Sequence, residues 1–63
     1  MSTELPEKPF FSPRELSEYL DVPYATLAAW RCRGEGGPPW YRFGRHVRYR
    51  RGDVLAWIER NRA

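Results

Sequence analysis

Three helical patterns and one hairpin pattern, in the order helix, helix, hairpin, helix, predict a small α+β domain from this chain of 63 residues. Three observations carry the prediction. Ser12-Pro13-Arg14-Glu15 opens a helical pattern that Asp21-Val22-Pro23 joins to a second one through about three residues. Trp40 to Arg51 alternates aromatic and branched residues with arginine, the period of a strand with two unlike faces. From Gly52 onward the helical period returns. Residues 10–63 form one domain, and residues 1–9, polar and without periodicity, read as a flexible leader.

In the first helix Ser12 is placed to cap, Pro13 suits the first helical position, and Glu15 can reach back to complete a capping box. Phe11 and Leu16 stand where a hydrophobic staple places its pair. Leu16, Tyr19 and Leu20 recur at helical spacing, so the helix runs from about Pro13 to Leu20 with Glu15 and Glu18 outward. Asp21 tolerates a left-handed backbone, and Pro23 suits the opening of the next helix. That helix runs from Pro23 or Tyr24 to Arg33 and is stopped by Gly34 and the Gly36-Gly37-Pro38-Pro39 run. At about 100 degrees per residue, Pro23, Leu27 and Trp30 form its core stripe, and Ala25, Ala28, Ala29, Cys32 and Arg33 face away.

For the hairpin, two loops compete. With Gly44-Arg45 alone as the loop, Phe43 pairs with His46 and both faces mix aromatics with arginines. With the three-residue loop Gly44-Arg45-His46, Phe43 pairs with Val47 and Tyr41 with Tyr49 on a core face, while Arg42, Arg48 and Arg50 share the outer one. The sorted register is the expectation, because a slip would expose the apolar set. Arg45 and His46 then sit at the tip. In the last helix Asp53 lies near the positive end of the dipole, Val54, Leu55, Trp57 and Ile58 supply the apolar side, and Arg60 and Arg62 lie near its C-terminus. Two closely joined helices, a hairpin and a closing helix make a winged helix-turn-helix, with the two-stranded antiparallel hairpin as the wing.

Three Trp, four Tyr and three Phe let a small core form from few residues, since each ring buries roughly 150–250 Å². A domain this short buries only about 60% of the surface its unfolded chain exposes, which leaves its stability marginal and little room for an enzyme pocket. The net charge of +3 conceals an uneven distribution. Residues 1–30 carry Lys8 and Arg14 against Glu4, Glu7, Glu15, Glu18 and Asp21, whereas residues 31–51 carry seven arginines against Glu35 alone. Residues 52–63 balance. Ten of the eleven bases are arginine, the side chain suited to bidentate phosphate or guanine contact. A molecule with one strongly positive side suits a polyanion.

Cys32 is the single cysteine, which rules out an internal disulfide, and with one histidine in the chain no zinc site can be assembled within it. No apolar run approaches the roughly 20 residues of a membrane span, and the acidic, proline-bearing N-terminus is unlike a signal peptide. A cytoplasmic protein is expected. No nucleophile elbow, metal spacing or phosphate loop accompanies the Ser, Asp and His residues, and Gly34-Glu35-Gly36-Gly37 lacks the strand and lysine of a P-loop. The chain reads as a non-enzyme without a cofactor.

Double-stranded DNA is the partner that fits this pattern. On the second helix the candidate contacts are Tyr24, Ala25, Thr26, Ala28, Ala29, Arg31 and Arg33, and on the hairpin they are Arg42, Arg45, His46, Arg48 and Arg50. Alanine in the middle of the helix face permits close approach and contact with thymine methyls but offers little hydrogen-bonded discrimination. Tyr24, Thr26, Arg31 and Arg33 at the margins supply the polar contacts. Trp30 and Trp57 fall on apolar stripes and read as core. The competing class is a protein-interaction adaptor that recruits an integrase or polymerase and touches DNA weakly.

Phe11-Ser12-Pro13-Arg14-Glu15-Leu16, Leu20-Asp21-Val22-Pro23, Thr26-Leu27, Trp30, Gly34, Gly37-Pro38-Pro39, Phe43-Gly44-Arg45, Arg48-Tyr49-Arg50 and Asp53-Val54-Leu55-Ala56-Trp57 form an ordered series across residues 10–60. In that series the chain resembles the small MerR-like winged helix-turn-helix proteins of the excisionase and AlpA group. The resemblance implies a second helix in the major groove and a wing along the backbone or an adjacent minor groove. It further implies a phage or prophage recombination directionality factor in a bacterial host cell. Such a factor is a monomer that assembles cooperatively, head to tail, on tandem sites, bends DNA and directs a tyrosine integrase toward excision. Others of the group are transcription regulators. Here Asp21 stands where the group often has glycine, and Ala28-Ala29 where it often has polar or basic residues.

Overall fold

The computed structural model describes residues 7–63. The chain order is β1 (Phe10–Phe11), α1 (Pro13–Leu20), α2 (Tyr24–Arg33), β2 (Tyr41–Phe43), β3 (His46–Arg50) and α3 (Arg51–Arg60). Three helices and a small antiparallel sheet make the expected α+β winged helix-turn-helix, and the helices fall close to their expected bounds. Of the leader expected over residues 1–9, the first six residues lie outside the described part.

Local chemistry accounts for the first half. Ser12, with extended backbone, caps α1: its Oγ accepts from the Glu15 amide at 3.2 Å, and its own amide donates to Glu15 Oε1 at 2.8 Å. The capping box is complete, with Pro13 at the first helical position. Asp21 closes α1 in the left-handed region at φ 56 and ψ 42, a conformation its short polar side chain tolerates. The Val22 amide then donates to the Ser17 carbonyl at 3.1 Å, and the Ser17 hydroxyl donates to the Val22 carbonyl. These bonds make the turn between the helices compact. Gly34, at φ 77, ends α2 and donates its amide to the Trp30 carbonyl at 2.9 Å.

Five elements each contribute one fully buried apolar side chain: Phe11 from β1, Leu16 from α1, Leu27 from α2, Tyr49 from β3 and Val54 from α3. Leu20, Val22, Trp30, Trp40, Val47 and Ile58 pack around this set. Phe11 and Leu16, the staple pair, both lie in it. Trp30 and Trp57 are half-buried and pack on each other at 5.8 Å between ring centroids. Pro23 and Leu55 depart from the expectation and are exposed. Pro23 precedes α2 as its cap instead of lying within its stripe, and Val54 takes the inward position in the first part of α3.

The sheet holds one strand that the sequence reading lacked. Phe10–Phe11 pairs antiparallel with β3, opposite Arg50 and Tyr49 respectively, so the strand order is β1-β3-β2. The Arg51 amide donates to the Pro9 carbonyl at 2.8 Å and ties this strand to the start of α3. Two residues between Pro9 and the Ser12 cap give too short an alternation to register as a strand.

The hairpin register is a correction. Tyr41 pairs with Arg48, Arg42 with Val47 and Phe43 with His46, leaving the two-residue loop Gly44-Arg45. Gly44 sits at φ 64, the positive value that a II′ hairpin asks of its first loop residue. Because side chains alternate along a strand, this one-residue difference turns every β2 side chain to the other face. Tyr41 and Phe43 point away from the core at 42% and 50% exposure. Arg42 lies on the face of Val47 instead of sharing one with Arg48 and Arg50. The expected inward direction of Val47 and Tyr49 on β3 holds. Trp40 explains the choice: it packs against the core, and its larger ring could not do so with its neighbour Tyr41 also facing inward.

Candidate nucleic-acid interface

The first group of candidates lies on α2. Tyr24, Ala25, Ala29 and Arg33 are exposed, and Thr26, Ala28 and Arg31 are half-buried. Cys32 lies exposed on the same helix. The exposed middle is therefore alanine, as expected, with Tyr24 at the N-terminal end and Arg33 at the C-terminal end. Arg31 has a structural partner as well: its Nη1 donates to the Tyr49 hydroxyl at 2.8 Å. That bond is the polar tie between α2 and the sheet, and it satisfies the hydroxyl of an otherwise buried tyrosine.

The wing carries the other candidates. Arg45 lies in the tip loop and is exposed, whereas His46 is the first residue of β3 and pairs with Phe43 instead of sitting in the loop. Arg42 is exposed and places its guanidinium 5.6 Å from the centre of the Trp40 ring. Arg48 is half-buried and donates from Nη1 to the Val47 carbonyl at 2.7 Å. Arg50 makes a two-point ion pair with Asp53, with Nη2 to Oδ1 at 2.9 Å and Nε to Oδ2 at 3.2 Å. The bonded guanidinium holds the Asp53 carboxyl below its ordinary range, and Asp53 in turn raises Arg50. Of the wing arginines, Arg50 is thus partly neutralised. Arg42 and Arg45 stand open.

The acidic side is separate. On α1, Glu15 pairs with Lys8 at 2.7 Å and is held below its ordinary range by that bond first and by the Ser12 amide second. Glu18 and Asp21 are exposed on the same element and its cap. Apart from Arg14 on α1, the arginines lie on α2, the wing, α3 and the residues after it, with Glu35, Asp53 and Glu59 as the acids outside α1 and its cap among residues 10–63.

Between the end of α2, the 34–40 loop and the sheet lies an open cleft of about 240 Å³ lined by Trp30, Arg31, Pro38, Trp40, Tyr49 and Arg60 among others. It falls below the roughly 300–1,000 Å³ usual for small-molecule pockets. Among the described residues, no three His, Cys, Asp or Glu side chains lie together where they could hold a metal ion. No helix among them is long and apolar enough to cross a membrane.

The sequence reading missed the outer sheet cluster of Phe10, Tyr41 and Phe43. Its signal was Gly44 followed by a single loop residue, together with the core demand of Trp40. A family model described as a helix-turn-helix domain matches residues 10–62. No curated protein and no solved structure matches the chain.

Proposed function

The chain belongs to this helix-turn-helix domain family, and from that premise we propose that it is an excisionase, a recombination directionality factor that binds double-stranded DNA and turns an integrase toward excision. The observation that carries the reading is the placement of arginine: α2 ends in Arg31 and Arg33 and the wing presents Arg42 and Arg45, while α1 and its cap carry Glu15, Glu18 and Asp21. A surface of this kind supplies phosphate contacts more readily than base readout, because the alanines of α2 offer no hydrogen bonds. Affinity then comes largely from backbone contacts, and selectivity from DNA that bends easily. A monomer with so small a footprint gains strength by occupying adjacent sites cooperatively. The contacts assigned to duplex DNA are Tyr24, Ala25, Thr26, Ala28, Ala29, Arg31 and Arg33 on α2, with Arg42, Arg45, His46, Arg48 and Arg50 on the wing.

The test is a salt titration followed by an excision assay. Neutralising about five phosphates gives a log-log salt slope near −4 to −5. Replacing Arg45 and Arg48 with alanine weakens random and attachment-site duplexes alike and makes the slope shallower. In the second stage, a purified tyrosine integrase excises its element faster with the protein than without it. A flat salt dependence removes the DNA reading in favour of an adaptor. Duplex binding with no effect on excision favours a transcriptional regulator.

A further inference from the structure

We propose that the outer face of the sheet is a second nucleic-acid surface, which takes the unpaired bases of a single strand by stacking them on Tyr41 and Phe43. The inference shares His46, Arg48 and Arg50 with the proposed duplex contacts of the wing, but the rings it rests on, Tyr41 and Phe43, are not among those contacts. Strand pairing places Phe10, Tyr41, Phe43, His46, Arg48 and Arg50 on this face. None of the strand residues on it is acidic. Asp53 reaches Arg50 from α3, which leaves Arg48 as the guanidinium on the strand without an acidic partner and His46 as a polar ring beside it.

The rings are held in place before any ligand arrives. Tyr41 and Phe43 lie within 8° of parallel at 6.3 Å between centroids. Phe10 stands perpendicular to both, 5.7 Å from Tyr41 and 5.5 Å from Phe43. A fixed cluster loses little conformational freedom on binding. Yet Tyr41 and Phe43 remain 42% and 50% exposed, at successive outward positions of one strand.

The occupant follows from the mixture. Aromatic faces bordered by guanidinium and imidazole match a partner that offers flat rings and negative charge together, which is the chemistry of nucleobases on a phosphate backbone. An apolar protein surface would have to desolvate the arginines, and an acidic peptide would leave the rings uncovered. Within a duplex the base faces are already stacked on each other, and only edges and phosphates are offered. A platform of rings therefore favours unpaired nucleotides, as sheet-borne aromatics do elsewhere.

The experiment measures binding of the full chain to a fluorescently labelled oligothymidylate of about ten nucleotides and, separately, to a duplex, by anisotropy at matched salt. The unmodified protein binds both. Tyr41→Ala and Phe43→Ala each weaken the oligothymidylate about tenfold and leave duplex affinity within about threefold. Tyr41→Leu and Phe43→Leu preserve packing against Phe10 while removing the stacking faces, and they give the same selective loss if the alanine variants melt too low to assay. Three results overturn the proposal: no binding of the oligothymidylate, equal loss on single strand and duplex, or unchanged single-strand affinity in the leucine variants. Loss of self-association in those variants, read by sedimentation, assigns the face instead to a second copy of the chain. If duplex binding fails while the selective loss holds, the excision reading falls and this one stands.

Discussion

Gly37→Ala tests the packing of the loop that leads from α2 to the wing. A β-carbon at Gly37 would stand 2.7 Å from Trp30 Cε3 and 3.2 Å from Trp30 Cβ. The first atom belongs to a ring that packs on Trp57, and the second is fixed to the α2 backbone, so neither can swing aside. The loop must lift instead, at a cost of roughly 1–3 kcal/mol by analogy with overpacked cores. A domain of this length has a total stability of about 3–9 kcal/mol. Each kcal/mol corresponds to about 4–8 °C in a small domain, which places the expected fall in melting temperature at about 4–24 °C. Gly52→Ala is the opposing control. Gly52 lies in the first turn of α3 with open space around its would-be β-carbon, and alanine there is expected to stabilise by about 0.4–1 kcal/mol through the unfolded chain. Thermal unfolding followed by far-ultraviolet circular dichroism compares the three proteins directly. A Gly37→Ala protein that melts within about 1 °C of its parent, or below which Gly52→Ala falls, would refute the reasoning.

Ser12→Ala removes both the Oγ acceptor of the Glu15 amide and the reciprocity of the capping box, and urea unfolding is expected to show a loss of about 0.5–2 kcal/mol. Acid should weaken the fold through Glu15 and Asp53, whose carboxyls are held below their ordinary 4.5 and 3.8. A depressed folded value means that their contribution is present above those ordinary values and is lost as pH falls through them toward the folded ones. The urea midpoint is accordingly level from pH 7 to about 5 and declines below, and Asp53→Asn makes that acid decline shallower. Tyr49→Phe deletes the acceptor of the Arg31 bond while keeping the buried ring, and a loss of about 1 kcal/mol in the same assay checks whether that bond contributes.

What could be read in the sequence was whatever is decided within a few residues. Ser12, Pro13 and Glu15 announce their box because all its partners lie inside one helical turn, and Asp21 announces the left-handed stop for the same reason. The directions of Val47 and Tyr49 followed from alternation along β3. The hairpin register did not, because it is settled by competition between separated groups. Sorting Tyr41 and Phe43 inward ignored Trp40, the larger ring, whose inward position requires the opposite phase. It also ignored Phe10, which supplies aromatic company on the outer face and lowers the penalty of leaving two rings there. Of the candidate interface, the residue types and the acid-free run were legible. The bond from Arg31 to Tyr49 was not, because it joins side chains 18 positions apart and depends on tertiary packing, whereas Arg50 with Asp53 and Arg42 over Trp40 are local pairs that their spacing permits.

The bond from Arg31 to Tyr49 bears on which partner yields when protein meets duplex. It braces the helix that would enter a groove against the strand that supports the wing, and it joins a half-buried arginine to a fully buried tyrosine. The distance between the two probes is then a property of the protein, like the gap of a caliper set in advance. In the proposed binding mode, a duplex whose local groove spacing differs from that gap would itself deform, at a cost of about 1–6 kcal/mol for bends of 40–90° over 20–30 base pairs. Sequences that flex cheaply would then be preferred at positions no side chain reaches. The stiffness of a single tyrosine contact would thereby set a preference among DNA sites that the alanines of α2 cannot.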